Sequence, residues 1–182
     1  GSLNINKPEE FRLDLSAHIR DVPDFPKPGI IYKDITTLLK NSAALDESIS
    51  MLAAPFKESK IDIVVGIESR GFIFGTPIAR ELQAGFVPIR KPGKLPADRL
   101  SASYELEYGT DEIEIHKDAL QPGDQVLLVD DLLATGGNMA AAVDLVNRLN
   151  GKIVGISFLI ELTFLEGRKK LEGQEIHSLI EY

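Results

Sequence analysis

The stretch QVLLVDDLLATGGNMAAAVDLVNRLNGKIVGISFLI, residues 125–160, decides the fold. Gln125–Val129 is a continuous apolar run, the pattern of a strand buried on both faces of a sheet. Asp130 and Asp131 close the run, and a turn of small residues, Ala134-Thr135-Gly136-Gly137, opens a helix from about Asn138 to Leu149. Gly151 reads as the helix stop, and Lys152–Ile160 as the next buried strand. Strand, loop, helix and strand in this order make a βαβ unit, whose strands run parallel.

Working outward, Ile61–Ile67 (IDIVVGI) is a second β-branched run. A helix over about Phe72–Leu82 and a short strand over Phe86–Arg90 follow it. The fold class is therefore α/β, with a mostly parallel central sheet flanked by helices. Upstream, Pro8-Glu9-Glu10 with Phe11, Leu15 and Ile19 predicts a helix, and Leu45, Ile49, Leu52 and Phe56 predict another. Between them, Asp21–Gly29 holds three prolines and a glycine, which exclude helix and predict an extended, turning segment. The segment Lys91–Gly109 (KPGKLPADRLSASYELEYG) opens with prolines, glycine and basic residues, and Glu112–His116 alternates strictly. Together they predict a hairpin with one solvated face, and a connection of this length in a compact domain is usually functional or mobile.

The 182 residues fit one domain, 1–182, without internal repeats. Apolar residues at 43% and charged residues at 26% predict a folded chain. A net charge of −8 repels a phosphate backbone and argues against a general nucleic-acid binder, though one small anion at a local basic site is compatible with it. The absence of cysteine excludes disulfides, thiolate metal sites and a thiol nucleophile. Gly1-Ser2 reads as a cloning remnant, no secretory pattern follows it, and no apolar run reaches membrane-spanning length. A cytoplasmic protein without membrane contact is expected.

Two turns carry the chemistry. At the carboxyl end of a parallel strand, Asp130 and Asp131 enter the crevice where open α/β sheets bind ligands. Paired carboxylates there accept hydrogen bonds from vicinal ribose hydroxyls or hold magnesium. The following Ala134–Gly137 turn can aim several backbone N–H groups at one anion, helped by the helix dipole and the Thr135 hydroxyl. The second turn, Gly66-Ile-Glu-Ser-Arg-Gly71, offers Ser69, the Arg70 guanidinium and the N–H groups around Gly71 as another anion cradle. Its glycine spacing is Walker-like, but Phe72 stands where lysine belongs, and no G-x-G-x-x-G is present. A ligand with phosphate at one end, ribose in the middle and pyrophosphate at the other would occupy both cradles. His18, His116 and His177 read as surface residues, and Arg168-Lys169-Lys170 as a solvated helix end.

The segment VDDLLATGG resembles the 5-phosphoribosyl 1-pyrophosphate (PRPP) motif of type I phosphoribosyltransferases. DFPKPGIIYKDIT (24–36), ESRGFIFG (68–75), RKPGKLP (90–96), SYELEYG (103–109) and IELTFLEGRKKL (160–171) extend the likeness from about Ile19 to Tyr182, and narrow it to the adenine phosphoribosyltransferase family. The resemblance implies adenine and PRPP as substrates, AMP and pyrophosphate as products, magnesium carried mainly by PRPP near Asp130 and Asp131, and a homodimer. It implies that Ala134, Thr135, Gly136, Gly137 and Asn138 hold the 5-phosphate, with Asn138 standing where the family usually has threonine. By the same likeness Asp130 and Asp131 hold the ribose hydroxyls, and Ser69, Arg70, Gly71 and Lys91, with Arg90 near them, hold the pyrophosphate. Adenine is placed against Tyr32, edge-bonded to backbone groups of Ile31 and Lys33, with Leu162 on its other face. An entry or hood segment (21–36) and a lid hairpin (90–116) complete the expected architecture, with Glu107 handling the purine proton and Tyr108 beside it. A transferase for another purine base, and a non-catalytic PRPP-sensing regulator, remain as alternatives. The second needs an added DNA-reading domain, for which a match beginning near Ile19 leaves no expected room.

Overall fold

The computed structural model describes residues 14–182, so the helix expected around Pro8–Phe11, like Gly1-Ser2, lies outside the described residues. The chain divides between Met51 and Leu52 into two compact units.

In the first unit the expected helical stripe does not continue through Leu15 and Ile19. The Asp14 carboxylate accepts the Ser16 N–H at 3.2 Å and closes a short 3-10 turn, Leu15–His18, after which Ile19 is extended. β1 (Arg20–Pro23) and β2 (Ile31–Asp34) then pair antiparallel, so the proline-rich segment folds as a hairpin. Its connection turns at Gly29, with φ of +89°, and the Gly29 N–H donates to Asp24 Oδ1 at 2.8 Å. Asp34 starts the short helix α1 (Thr36–Leu39) by accepting both the N–H and the hydroxyl of Thr36. Those bonds, followed by one from Arg20, hold its carboxyl down at about 2. Helix α2 (Ser42–Ala53) contains the division between the units.

The second unit is a five-stranded parallel sheet in the order β4-β3-β7-β8-β9. Its strands are β3 (Ile63–Ile67), β4 (Gly85–Ile89), β7 (Gln125–Leu133), β8 (Lys152–Glu161) and β9 (Ile176–Glu181). Helix α3 (Arg70–Glu81) links β3 to β4, and α4 (Gly137–Arg148) links β7 to β8. The two crossovers leave a central pair of strands in opposite directions, so right-handed connections place them on opposite faces. Val65, Val126, Leu128 and Phe158 pack with Leu145 and Val146 of α4 in one fully buried core. The hairpin β5 (Arg99–Glu105) and β6 (Thr110–His116) joins that core through Ile113 and Ile115, while its tip residue Tyr108 is 85% exposed. Among the described residues, no helix is long and apolar enough to cross a membrane.

Two local readings are corrected. β7 does not end at Val129: it runs nine residues because the ten-residue β8 continues to pair with it, Asp130 opposite Phe158 and Leu132 opposite Ile160. The acids therefore sit within the strand, which continues past them to Leu133. Nor does Gly151 provide the left-handed residue that stops α4. Asn150 does, with φ of +61°, and Gly151 is small because a Cβ there would stand 2.8 Å from Val146 and 3.0 Å from Leu120.

Close backbone approach sets where α3 begins. A Cβ on Gly66 would meet the Phe86 ring at 2.9 Å and the Gly71 carbonyl oxygen at 3.1 Å. Gly66→Ala is expected to cost about 1–3 kcal/mol of stability through overpacking, read as a lower urea midpoint with the slope unchanged. A wild-type midpoint would show that the first turn of α3 is not held by this contact.

Candidate active site

The strand order reverses direction between β3 and β7, and the turns that follow these neighbours are the two read from the sequence as anion cradles. Such a reversal opens a crevice at the carboxyl ends of the strands. There a cavity of about 650 Å³ is lined by Arg70, Glu107, both acids and the loop residues Ala134, Thr135, Gly136 and Asn138. All eight are residues that the sequence nominated. Lys170, together with Tyr104, Glu105 and Leu106 at the hairpin end, also lines it and was not anticipated.

The acids are buried but differently satisfied. Asp130 Oδ1 accepts the Asp131 N–H at 2.9 Å and its Oδ2 accepts the Asn138 amide at 3.3 Å. Asp131 Oδ2 accepts Arg70 Nε at 2.6 Å. Burial, followed by the neighbouring Asp131 charge, pushes the Asp130 carboxyl well above its ordinary range, and the more distant Arg70 only partly opposes this. Gly71 must lack a side chain, because a Cβ would stand 3.0 Å from Asp130 Oδ1 and 3.1 Å from the Val129 carbonyl. The start of α3 is thereby pressed against the acid pair, and Arg70 is delivered to Asp131.

The loop after β7 is shaped by a second close approach. Gly136 has φ of +87°, and a Cβ on it would lie 2.5 Å from the Gly167 carbonyl oxygen. A Cβ on Gly167 would lie 2.5 Å from the Ala134 carbonyl oxygen. Two glycines facing each other let the loop and the 3-10 turn Gly167–Leu171 touch backbone to backbone. Gly137 lies under the hairpin, 3.3 Å from a Tyr104 ring carbon if given a Cβ. The basic run is not a freely solvated helix end, since Arg168 grips the buried Glu161 through Nε at 2.8 Å and Nη2 at 2.8 Å. Leu162, half-buried just beyond β8, is not among the residues lining the cavity; its N–H donates to the Leu133 carbonyl at 2.9 Å.

The cations assigned to pyrophosphate are largely engaged elsewhere. Lys91 Nζ donates to Asp111 Oδ2 at 2.6 Å and to the Tyr104 hydroxyl at 3.0 Å, and Lys91 is not among the residues lining the cavity. Burial alone would push Lys91 down, but the Asp111 and Tyr104 bonds outweigh it and hold it above its ordinary value. Glu68, immediately before the Ser69-Arg70-Gly71 turn, takes Arg90 Nε at 3.0 Å and Lys94 Nζ at 2.8 Å. Burial would raise Glu68, and the Lys94, Lys91 N–H and Arg90 donors together hold it low. Ser69 precedes α3 without capping it through its side chain, and Tyr108 points outward at the tip. Glu68 and Asp111 were both missed, because an acid's pairing partner 20 or more residues away leaves no local signal.

In the first unit, Tyr32 is half-buried on β2 and meets the Phe25 ring edge-on at 5.2 Å between centroids. Ile31 is 58% exposed, and Lys33 Nζ reaches Asp21 Oδ1 at 2.7 Å. Among the described residues no group of three His, Cys, Asp or Glu side chains could hold a metal ion unaided.

A raised folded-state carboxyl means that stability falls as pH rises from the unfolded value to the folded one. Asp130→Asn is therefore expected to increase the urea midpoint of the ligand-free protein at neutral pH. The gain should fade below about pH 4, where Asp130 is protonated in the folded and unfolded wild type alike. A midpoint lowered at pH 7 would mean that the acid's hydrogen bonds outweigh its desolvation.

The sequence matches the phosphoribosyl transferase domain family over residues 34–176. The adenine phosphoribosyltransferase of Halothermothrix orenii is 60% identical over 93% of this chain and 99% of its own length. The crystal structure of the Thermoanaerobacter pseudethanolicus adenine phosphoribosyltransferase superposes with a TM-score of 0.89 at 56% identity, over 92% of this chain and 98% of that one. The Saccharomyces cerevisiae enzyme, solved with D-2,5-dideoxy-2,5-imino-altritol 1,6-bisphosphate and adenine, gives 0.86 at 43% identity over 91% of this chain and 96% of that one. With an acid pair and a glycine loop at the switch point of its sheet, this chain belongs to the phosphoribosyltransferase family, among the adenine phosphoribosyltransferases.

Proposed function

We propose that the protein transfers the 5-phosphoribosyl group of PRPP to adenine, giving AMP and pyrophosphate in purine salvage. The observation that carries this is the single cavity in which Asp130, Asp131, Arg70 and the Ala134–Asn138 loop converge, in a chain so close to adenine phosphoribosyltransferases. The yeast relative, holding adenine beside an iminosugar bisphosphate, supports a ligand with phosphates at both ends of a ribose-like ring.

In the reaction the bond from the anomeric carbon to pyrophosphate breaks, a bond to a purine nitrogen forms, and positive charge develops on the ribose ring. The loop's N–H groups and the Thr135 hydroxyl take the 5-phosphate. Asp130 and Asp131 accept from the ribose hydroxyls, and their negative charge favours an oxocarbenium-like ribose. Arg70, with the Ser69 and Gly71 backbone, faces the leaving pyrophosphate. The two carboxylates are hard oxygen donors that fit a magnesium ion arriving on the phosphates, and magnesium there neutralises leaving-group charge. The family resemblance assigns Tyr32 and the backbone of Ile31 and Lys33 to adenine, and Leu162 as an apolar surface for the ring; backbone donors and acceptors separate an amino from an oxo group.

Ile113 and Ile115 are buried, so lid movement belongs to the tip around Leu106–Gly109, which carries Glu107 over the cavity and keeps water from the ribose. Arg90 and Lys91 reach pyrophosphate by exchanging Glu68 and Asp111 for ligand oxygens, within one chain or across the homodimer that the family resemblance implies. We infer a cytoplasmic enzyme whose two compact units act as one phosphoribosyltransferase domain, a reading supported by a family match that runs across both, over residues 34–176.

The deciding experiment measures pyrophosphate release from PRPP and magnesium with adenine, hypoxanthine, guanine, orotate and no base. Release with adenine alone, matched by AMP, is expected. Release with another base instead would overturn the reading of the Tyr32 pocket, and none with any base would leave a PRPP-binding protein without this activity. Glu107→Gln should lower kcat by about 100-fold or more while changing the KM for PRPP little. An unchanged kcat would remove Glu107 from proton handling.

A further inference from the structure

Of the three basic residues in the 3-10 turn, two are spoken for. Arg168 is paired with Glu161, and Lys169 Nζ lies 3.0 Å from Glu166 Oε1. Lys170 has no ion-pair partner among the described residues and lines the cavity formed by Asp130, Asp131 and the loop. Its position is built rather than incidental. The reciprocal approach of Gly136 and Gly167 presses the turn onto the loop, the next residue, Leu171, is buried, and Arg168, two residues before, is tied to Glu161.

The cavity needs such a cation. Its ionisable lining consists of four carboxylates, Glu105, Glu107, Asp130 and Asp131, against two cations, Arg70 and Lys170. Arg70 is bonded to Asp131. The loop itself offers only neutral donors, and one of them, the Asn138 amide, already donates to Asp130. A phosphate entering among these acids meets repulsion that backbone N–H groups alone offset weakly, whereas an ammonium group adds a full charge and a charge-assisted bond. We propose that Lys170 is a substrate-binding residue that pairs with the 5-phosphate of the phosphoribosyl ligand, bringing to the loop the positive charge its own residues lack. The assignment rests on the reaction proposed above.

The test compares wild type with Lys170→Met, Lys170→Gln and Lys170→Arg, and with Lys169→Met as control. Turnover is measured with PRPP and adenine, and ribose 5-phosphate binding by calorimetry. The two neutral variants should each raise the KM for PRPP and the Kd for ribose 5-phosphate about tenfold, with kcat and the KM for adenine nearly unchanged. Lys170→Arg should restore both constants to within about threefold of wild type, and Lys169→Met should match wild type. If active wild type and both neutral variants share the same constants, Lys170 is not a phosphate ligand and the reaction stands. Equal losses in kcat and in the KM for adenine would likewise overturn it, as the mark of a distorted loop. A wild type that makes no AMP overturns the reaction itself, and Lys170 is then decided by the ribose 5-phosphate constants alone: a tenfold loss upholds it, and equal constants or no binding by wild type overturn it.

Discussion

Two adjacent carboxylates at the end of a buried strand are the constraint around which the catalytic unit is arranged. Neither could stay there unsupported, since burying an unpaired charge costs several kcal/mol. Asp131 is held by Arg70, which the first turn of α3 delivers. Asp130 is held by the Asp131 N–H and by Asn138 at the start of α4. Each helix following a strand of the central pair therefore contributes a donor to the acids on β7. Among the described residues no buried side-chain nitrogen or oxygen lacks a hydrogen-bond partner, so the pair is kept in a polar shell even without ligand.

The shell is assembled by glycines at points of contact rather than by flexible loops. Gly66 and Gly71 let α3 approach β3 and β7, and Gly136 and Gly167 let two turns touch through their backbones. At each point a single methyl group would intrude on backbone or on the half-buried Phe86 ring. The consequence is a cavity whose walls are set by main-chain geometry, which varies little, while the charges stand on side chains that can rearrange around a ligand.

Those charges are balanced within the free protein. Glu68 collects Arg90 and Lys94, Asp111 collects Lys91, and Glu161 collects Arg168. A protein of net charge −8 that binds a polyanion needs local cations, and these four are each held by a nearby acid. Exchange of one carboxylate for another oxygen anion loses little, because the guanidinium or ammonium group stays paired throughout.

The parallel sheet was legible because strands buried on both faces read as unbroken apolar runs, and IDIVVGI and QVLLV could hardly be anything else. The site's acids and glycines were legible because Asp-Asp after such a run, and glycines before a helix, are local departures from what a core tolerates. Resemblance to a known family added the roles proposed for Tyr32, Leu162 and Glu107, which no periodicity contains. What the sequence could not show was anything decided by a partner far along the chain: the length of β7, set by β8; the glycine in Gly151, set by Leu120 and Val146; the engagement of Lys91 by Asp111. Lys170 belongs to the same class. In the sequence it is the last of three basic residues at a helix end, and only the close approach of Gly136 and Gly167, on turns far apart in the chain, brings it to the wall of the cavity. Local patterns report the backbone's own preferences, whereas the pairing of charges and the close approach of turns depend on which segments the folded sheet brings side by side.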